Sequence, residues 1–491
     1  MAETEGSAAL VILDGVSTLV DRYVPRFELY FAKPEPFEEP GAGPLEILEP
    51  PEATFQEVER LNGLVFRASS ASPVPGGNAG ASSGDAGSVP TLTQLLPLAG
   101  PWGDKPEEHT DDILSVQFTE TIEKNALASL QIEVLNMYDS ERRTYRYTDI
   151  PADLPPERTG VFPLLDYGDT LALRVGYGEG LDWMFDGVVE KFEVDFPADG
   201  ESKISLTAVD RRSLLRNKKK LKKGASGGSS EEQVAAQIVR EVGLRVAAAE
   251  GQLTKPTKET KKPKPKDQDA LQYLTDRANK AAIELICFGK TVYVLKPADQ
   301  NPGTVVRYVY RQGLISFKPT FNGVGKPTKV RVEARNPDTG ETITAEVSTD
   351  DLVEAGLALP AADGTPTDKV KKSGQAGERV EVVTNYPART QEEAKRIAIG
   401  ILKKNLDNTL TAQGSILGDP RVRPRTTIQI EGVGRFDGLW YVTQAVHKLG
   451  ANGYQTQFNA RRTAALPERG EAASSASSTN LDSPETAGGA T

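Results

Sequence analysis

The amino-acid sequence predicts a mainly β protein with a few helices. Several stretches, such as 26–32, alternate apolar and polar residues in the way that half-buried strands do. Three other stretches place apolar residues at helical spacing, and two of them also carry helix-capping signals. A unit of three strands with tight turns also occurs twice, at 169–213 and at 426–463. With 491 residues, the chain has room for two or three domains with separate cores.

The first third of the sequence predicts strands that are separated by a long insertion. Phe27, Leu29 and Phe31 place apolar side chains on one face of the first clear strand. Residues 34–109 contain a long tract rich in Gly, Ser and Pro and are predicted to be partly disordered, because such a tract buries too little apolar surface to offset its ordering entropy. Strands resume after this insertion, at 114–120 and 128–135.

Three helices are predicted in the middle and later parts of the chain, at 229–244, 267–282 and 390–406. The first begins with the capping-box residues Ser229 and Glu232 and ends at Gly243. The third begins in the same way, with Thr390 and Glu393. Strands are predicted between the second and third helices.

The two three-stranded units share landmarks in the same order. The triplet Phe185-Asp186-Gly187 corresponds to Phe436-Asp437-Gly438, and the third strands end in Arg211-Arg212-Ser213 and Arg461-Arg462-Thr463. The spacing from Phe to the first Arg is 26 residues in one unit and 25 in the other. We interpret this as an internal duplication of a three-stranded meander. The alternative is that Asp-Gly merely suits tight hairpins, which need positive φ angles.

Composition and charge exclude several classes of protein. The net charge of −11 disfavours a general binder of nucleic acid or anionic membranes. A single cysteine, Cys287, rules out an internal disulfide and makes a thiolate metal site implausible. No run approaches the roughly 18 apolar residues of a membrane span. Because Glu3, Glu5 and Asp14 fall where a signal peptide would be basic or apolar, we expect a protein made in the cytoplasm without a signal peptide.

Motifs for catalysis are missing from the sequence. The two histidines are His109, in a loop, and His447, which is predicted to lie on a strand surface. There is no GxSxG, HExxH, paired Cys-x-x-Cys or acidic calcium-loop pattern, so we predict no catalytic residue, no metal site and no cofactor. The stretch Gly289-Lys290-Thr291 resembles the end of a phosphate loop, but Glu284 stands where the first glycine is needed, and we predict a hairpin turn.

One basic run is a candidate binding surface for a partner. Its cations are Arg216, Lys218, Lys219, Lys220, Lys222 and Lys223. The run has no interleaved aromatic residue for base stacking, and it precedes a Gly/Ser loop. A solvated loop is the simplest interpretation, and an acidic protein partner or passing nucleic acid are the alternatives.

The order of the elements resembles a known family. The strand–FDG–strand–DRRSLL block, the helix SSEEQVAAQIVREVGL, the strand YRQGLISFKPTF, the helix EEAKRIAIGILKKNL and the closing TTIQIEGVGRFDGLWYVTQAVHKL follow the order of the phage late control protein D family. Those proteins are baseplate hubs of contractile phage tails, and VgrG spikes and extracellular contractile injection systems contain a similar hub domain. The resemblance covers 24–33 and 110–463. This chain differs from VgrG because nothing after residue 463 could build a spike.

The resemblance implies tandem tail-tube-like β-barrel modules and a homotrimeric ring. Such a ring adapts a sixfold inner tube to a threefold spike, without catalysis, inside a phage tail or an extracellular injection particle. The implied partners are the inner tube, a separate spike protein and baseplate wedge or adaptor proteins, with nucleic acid only in transit. Two alternatives remain open at this point: a tail-associated cell-wall hydrolase, and a nucleic-acid-binding tail component that uses 216–223 and 255–266.

The resemblance and the sequence pattern together divide the chain into seven segments. They are an N-terminal arm at 1–23, a first tube-like module at 24–33 plus 110–215, the insertion at 34–109, a basic linker with one helix at 216–266, a middle α+β hub region at 267–377, a second tube-like module at 378–465, and a disordered tail at 466–491.

Overall fold

The computed structural model describes most of the predicted folded region. The residues that it describes are 11–14, 25–32, 46–47, 63–69, 112–141, 143–145, 147–148, 168–177, 180–216, 231–248, 268–280, 283–295, 297, 304–322, 327–336, 340–354, 379–384, 388, 390–407, 409–450 and 453–462. Most of the insertion at 34–109, the loop at 255–266, the tail at 466–491 and His109 therefore lie outside the described residues.

Strands dominate the N-terminal half of the described chain. In chain order they are β1 (Val11–Asp14), β2 (Pro25–Ala32), β3 (Glu46–Ile47), β4 (Gly63–Ser69), β5 (Ile113–Thr121), β6 (Ser129–Leu135), β7 (Tyr138–Asp139), β8 (Thr144–Tyr145), β9 (Thr170–Tyr177), β10 (Gly180–Asp195) and β11 (Lys203–Asp210). Six of them lie side by side in the order β5-β6-β11-β10-β9-β2, and we call these six strands the first module. All of its neighbouring pairs are antiparallel.

A smaller α/β unit follows the first module. It consists of α1 (Glu231–Val239), β12 (Arg245–Ala248), α2 (Ala270–Lys280), β13 (Glu284–Phe288) and β14 (Thr291–Leu295). Its sheet has the order β13-β14-β12-β3, so part of the long insertion pairs with it. Gly243 adopts a φ of +77° at the end of the first helical segment, as the sequence predicts for a stop signal.

Six strands in the C-terminal part close into a barrel. The remaining elements are β15 (Thr304–Tyr310), β16 (Gly313–Phe321), β17 (Lys329–Arg335), β18 (Thr342–Ser348), α3 (Thr349–Glu354), β19 (Val380–Val383), α4 (Gln391–Asp407), β20 (Leu410–Leu417), β21 (Thr427–Glu431), β22 (Gly438–Gly450) and β23 (Gly453–Arg462). The ring of pairings runs β15-β16-β20-β23-β22-β21 and returns to β15, and we call these six strands the second module. The predicted mainly β fold with a few helices is confirmed.

The second module begins earlier in the chain than the sequence indicated. The sequence pattern places 267–377 in a middle region, but β15 and β16 are barrel strands. Between β16 and β20 the chain makes a separate unit, in which α4 packs on β17 and β18 through Ala394, Ala398 and Leu402. The main-chain N–H of Glu393 donates to Thr390 Oγ1 at 3.1 Å, which is the predicted cap. This insertion into the barrel sequence is invisible to strand patterns, because strands of both units have the same period.

The two modules correspond strand by strand. In chain order, β5, β6, β9, β10 and β11 have the pairings that β16, β20, β21, β22 and β23 have. Both sets carry a bulge at the same two places: at Leu114 and Ile315 in β5 and β16, and at Glu190 and Thr443 in β10 and β22. The last strand differs, since β2 is antiparallel to β9 whereas β15 is parallel to β21.

The bulges correct the alignment that the sequence suggested. Gly187 precedes its bulge at Glu190 by three residues, whereas Gly438 precedes Thr443 by five. The two FDG triplets are therefore two residues out of structural equivalence, and Gly187 corresponds to Trp440. A slide of two residues keeps every side chain on the same face of a strand, so the apolar pattern does not reveal it.

Candidate functional site

The two modules are joined by a shared β-ladder. The C-terminal half of β22, Gln444 to Gly450, pairs with β5 from Thr121 to Ser115, while β22 also pairs with β23 along its length. The core of the first module continues across this junction and includes Leu449 of β22. We call this ladder and the side chains packed around it the inter-module junction.

A buried ion pair spans the inter-module junction. Arg423, in the loop before β21, donates to both carboxylate oxygens of Glu120 in β5, at 2.8 and 2.9 Å. The same guanidinium donates to the carbonyl oxygens of Trp183 and Met184 in β10, both at 3.3 Å. Arg423 thus fastens the second module to two strands of the first, and bidentate geometry makes such contacts strong and directional.

His447 is part of the same junction. The sequence predicted it on a strand surface, but the structure buries it. Its side chain is fully buried and stacks on the ring of Phe118, with 5.9 Å between the ring centroids. Its Nδ1 is hydrogen-bonded to Tyr454 Oη at 2.8 Å and to Thr456 Oγ1 at 3.1 Å. Burial, with Arg423 nearby, lowers the pKa of His447 from 6.5 to about 3. The alternation of Ala445, His447 and Leu449 along β22 was the signal for burial, because Ala and Leu mark that face as apolar.

The first module holds β13 of the α/β unit through Arg212 and Asn125. Arg212 is fully buried, pairs with both oxygens of Asp210 at 3.0 and 2.8 Å, and donates to the carbonyl oxygen of Leu285 at 3.4 Å. Asn125 Oδ1 accepts from the N–H of Leu285 at 2.6 Å, and its Nδ2 donates to the carbonyl oxygen of Ile283 at 2.9 Å. These are contacts to the main chain of β13 and of Ile283 just before it, so they fix the position of the strand in the molecule.

The second module holds the same strand through the Glu284 side chain. Glu284 accepts from Tyr441 Oη at 2.7 Å and from Arg425 Nη1, and Arg461 lies 3.9 Å away. Arg461 also pairs with Asp407 at the end of α4, at 2.9 Å. Burial, followed by the charge of Glu284, raises the pKa of Tyr441 well above its ordinary value. One arginine of each landmark pair, Arg212 or Arg461, thus lies where its module contacts β13.

The FDG triplets have different local structures. Phe185, Asp186 and Gly187 lie inside β10 and not in a turn, whereas Phe436 ends a 3₁₀ turn and Gly438 begins β22. A Cβ on Gly187 would approach the carbonyl oxygen of Val209 to 2.3 Å, so close strand contact requires glycine there. Gly438 has a φ of +131°, which favours glycine for a different reason.

In both units an arginine contacts the aspartate of the triplet. Arg211 pairs with the Asp186 carboxylate at 2.8 Å, and Arg462 donates to the main-chain oxygen of Asp437. Burial raises the pKa of Asp186, and Arg211 opposes that shift. Asp437 Oδ1 also accepts from the N–H of Val433 at 2.6 Å and closes the turn. The triplet residues therefore hold neighbouring strands and a turn together.

Other candidate residues have structural surroundings. Of the basic run, only Arg216 is described, and it pairs with Glu190; Lys218, Lys219, Lys220, Lys222 and Lys223 lie outside the described residues. Cys287 is buried in β13, and burial raises the pKa of its thiol. Within the described ranges, no cluster of three His, Cys, Asp or Glu side chains could hold a metal ion.

The contacts that build the junction were missed at the level of sequence. Arg423, Glu120 and Glu284 are far apart in the chain and belong to no motif. Their partners lie 303 and 141 residues away, and only the fold brings them together.

Comparison with known proteins places the chain in a family. A family model described as the Alg8 N-terminal domain matches residues 163–451, that is, 289 of the 491 residues. The chain belongs to the Alg8 N-terminal domain family. The match spans three of the six strands of the first module (β9, β10 and β11), the helices and strands from α1 to β14, and all but the last barrel strand of this Alg8 N-terminal domain protein. No curated protein matches the sequence.

Two solved structures with a similar fold are tail proteins. The 43 kDa tail protein of prophage MuSo2 from Shewanella oneidensis superposes with a TM-score of 0.51 at 12% identity, over 72% of this chain and 95% of that one. The tail protein from Neisseria meningitidis MC58 gives a TM-score of 0.50 at 11% identity, over 74% and 94%. This chain therefore has a tail-protein fold, as the resemblance implied. None of the described helices is long and apolar enough to cross a membrane.

Proposed function

We propose that this protein is a non-catalytic baseplate hub of a contractile phage tail or contractile injection system. Three copies form a ring that joins a sixfold inner tube to a separate threefold spike, with wedge or adaptor proteins around it. The particle is assembled from a chain made in the cytoplasm. The tail-protein fold of the similar structures supports this proposal.

The observation that carries the proposal is the correspondence of the two modules. Matching bulges in β5 and β16 and in β10 and β22 give one chain two equivalent sets of strands. Closed rings match each other when equivalent surfaces occur in equal numbers. Three chains with two modules each present six equivalent surfaces to a tube and three to a spike. We infer that the duplicated module is what allows a ring of three chains to join a sixfold tube to a threefold spike.

The surroundings of the reactive side chains support a structural function. A general base must reach a substrate proton and titrate near the working pH. His447 is enclosed between the modules and stays neutral down to about pH 3, so it does neither. The thiol of Cys287 is buried, and its raised pKa disfavours the nucleophilic thiolate.

Light scattering on the purified full chain tests the proposal. One chain has a mass of 52.9 kDa, so three chains give about 159 kDa. We expect this mass for the chain alone, or this mass plus that of the bound spike after co-expression with a cognate spike protein. A monomer under both conditions would refute the hub. A zone of clearing on a peptidoglycan zymogram would instead favour the cell-wall hydrolase, and binding to nucleic acid that falls steeply with salt would favour the nucleic-acid alternative.

A further inference from the structure

Each of the two strand edges that form the inter-module junction has an equivalent edge in the other module. Within the chain, the second module offers the edge of β22 and the first module accepts it with the edge of β5. The equivalents of these edges are β10 in the first module and β16 in the second. Among the described strands, β10 beyond Glu190 pairs only with β11, and β16 beyond Leu314 pairs only with β20.

We propose that the edge of β10 pairs antiparallel with the edge of β16 from a second copy of this chain. The inference rests on the proposed ring and specifies how its copies meet. Each copy gives one edge and receives another, so the contact is heterologous and repeats around a ring. Every boundary between modules, within or between chains, then uses the same kind of ladder.

The bulges fix the register of the proposed ladder. Thr443 is equivalent to Glu190, so Gln444 corresponds to Lys191; Leu114 is equivalent to Ile315, so Thr121 corresponds to Asn322. Gln444 pairs with Thr121 within the chain. The pairs between copies follow as Lys191 with Asn322, Phe192 with Phe321, Glu193 with Thr320, Val194 with Pro319, and Asp195 with Lys318.

Burial at the equivalent positions supports the proposed contact. In the inter-module junction, Ala445 and Glu120 form a pair that is 0% and 5% exposed. Their equivalents, Phe192 and Phe321, are 39% and 52% exposed. Facing aromatic side chains stabilise cross-strand pairs, so the proposed ladder covers apolar surface that a single copy leaves in water.

Charge supports the same register on the opposite face. Asp195 and Lys318 are both exposed, carry opposite charges and would stand directly across from each other. Opposite charges at facing positions stabilise an antiparallel pair, and like charges weaken it. A register shifted by one residue would place Asp195 opposite Pro319 and break this match.

Pro319 limits promiscuous pairing of the β16 edge. It is equivalent to Phe118 in β5. The N–H of Ile122 donates to the carbonyl oxygen of Thr443 in β22. Because N–H groups alternate between the two sides of a strand, the N–H of Phe118, four residues earlier, also faces β22. The proposed ladder therefore lacks one N–H donor, at Pro319. Proline on an edge strand discourages pairing with arbitrary strands, so the facing side chains must supply the specificity.

A register-specific crosslink tests the inference in the full chain. Glu193 and Thr320 correspond to a non-hydrogen-bonded pair, whose Cα atoms lie about 4.5 Å apart and suit a disulfide. The double variant Glu193→Cys, Thr320→Cys is expected to form crosslinked oligomers under mild oxidation. The matched control Glu193→Cys, Phe321→Cys places the second thiol on the other face and is expected to stay uncrosslinked. Cys287, the sole native cysteine, is buried and does not interfere.

Charge exchange provides a second readout by light scattering. Lys318→Glu and Asp195→Lys are each expected to lower the oligomer fraction several-fold, and the double exchange to restore it. Absence of the in-register crosslink, or equal crosslinking of the control, overturns the inference. If the mass is still near 159 kDa, the hub proposal survives and the copies meet elsewhere. A monomer with and without the spike removes both proposals.

Discussion

Removal of the Arg423 side chain is expected to weaken the contact between the two modules and to lower the free energy of unfolding. Glu120 is 5% exposed in the intact structure, and the substitution Arg423→Ala removes the bidentate partner of its carboxylate. It also removes the donor to two carbonyl oxygens of β10. Breaking a buried pair by removing one partner destabilises a protein by about 3–5 kcal/mol, because a buried charge is left uncompensated. We expect a loss in this range, together with partial recovery in Arg423→Met, Glu120→Gln.

The assay is urea unfolding of the full chain followed by tryptophan fluorescence. Trp183 of β10, whose carbonyl oxygen accepts from Arg423, and the buried Trp440 of β22 report on the unfolding of the two modules. The matched control is Arg331→Ala, because Arg331 pairs with Glu346 at 2.7 Å in an exposed ladder and its loss should change the midpoint little. An Arg423→Ala variant that unfolds at the same urea concentration as the wild type would refute the reasoning, since the ion pair would then contribute nothing at the junction.

Three further predictions concern glycine, histidine and cysteine. In Gly418→Ala the new Cβ would lie 2.1 Å from the ring of Tyr454, so we expect thermal unfolding to show a loss of about 1–3 kcal/mol. The control Gly180→Ala should leave stability unchanged, because its Cβ would lie 3.7 Å from the nearest atom. The pKa of His447 is lowered from 6.5 to about 3, so between these pH values the unfolded chain binds one more proton than the folded chain. The contribution of His447 to stability is therefore complete above pH 6.5 and falls by up to about 1.4 kcal/mol per pH unit below it. The variant His447→Gln should reduce this slope in unfolding experiments at several pH values. Cys287 should react with a thiol reagent only after urea unfolding, because burial raises the pKa of its thiol, and fast reaction of the native protein would contradict that placement.

The sequence was a good guide to the elements with strong local signals. The helix at 391–407 follows from its Thr390 cap and apolar stripe, and the hairpin of β13 and β14 follows from its Gly-Lys turn. Local signals suffice here because caps and turns are satisfied by residues only a few positions apart. The same signals said nothing about which strands belong to one barrel, and β15 and β16 were assigned to the wrong unit for that reason.

The sequence by itself determined that this chain is mainly β, carries a repeated unit and lacks catalytic motifs. Only the tertiary structure decided how the repeats superpose, because a two-residue slide leaves a period-two pattern unchanged whereas the bulges at Glu190 and Thr443 do not. It also decided that His447, Glu120 and Arg423 meet between the modules. These contacts depend on pairing strands more than 300 residues apart, and no local pattern encodes a pairing at that distance.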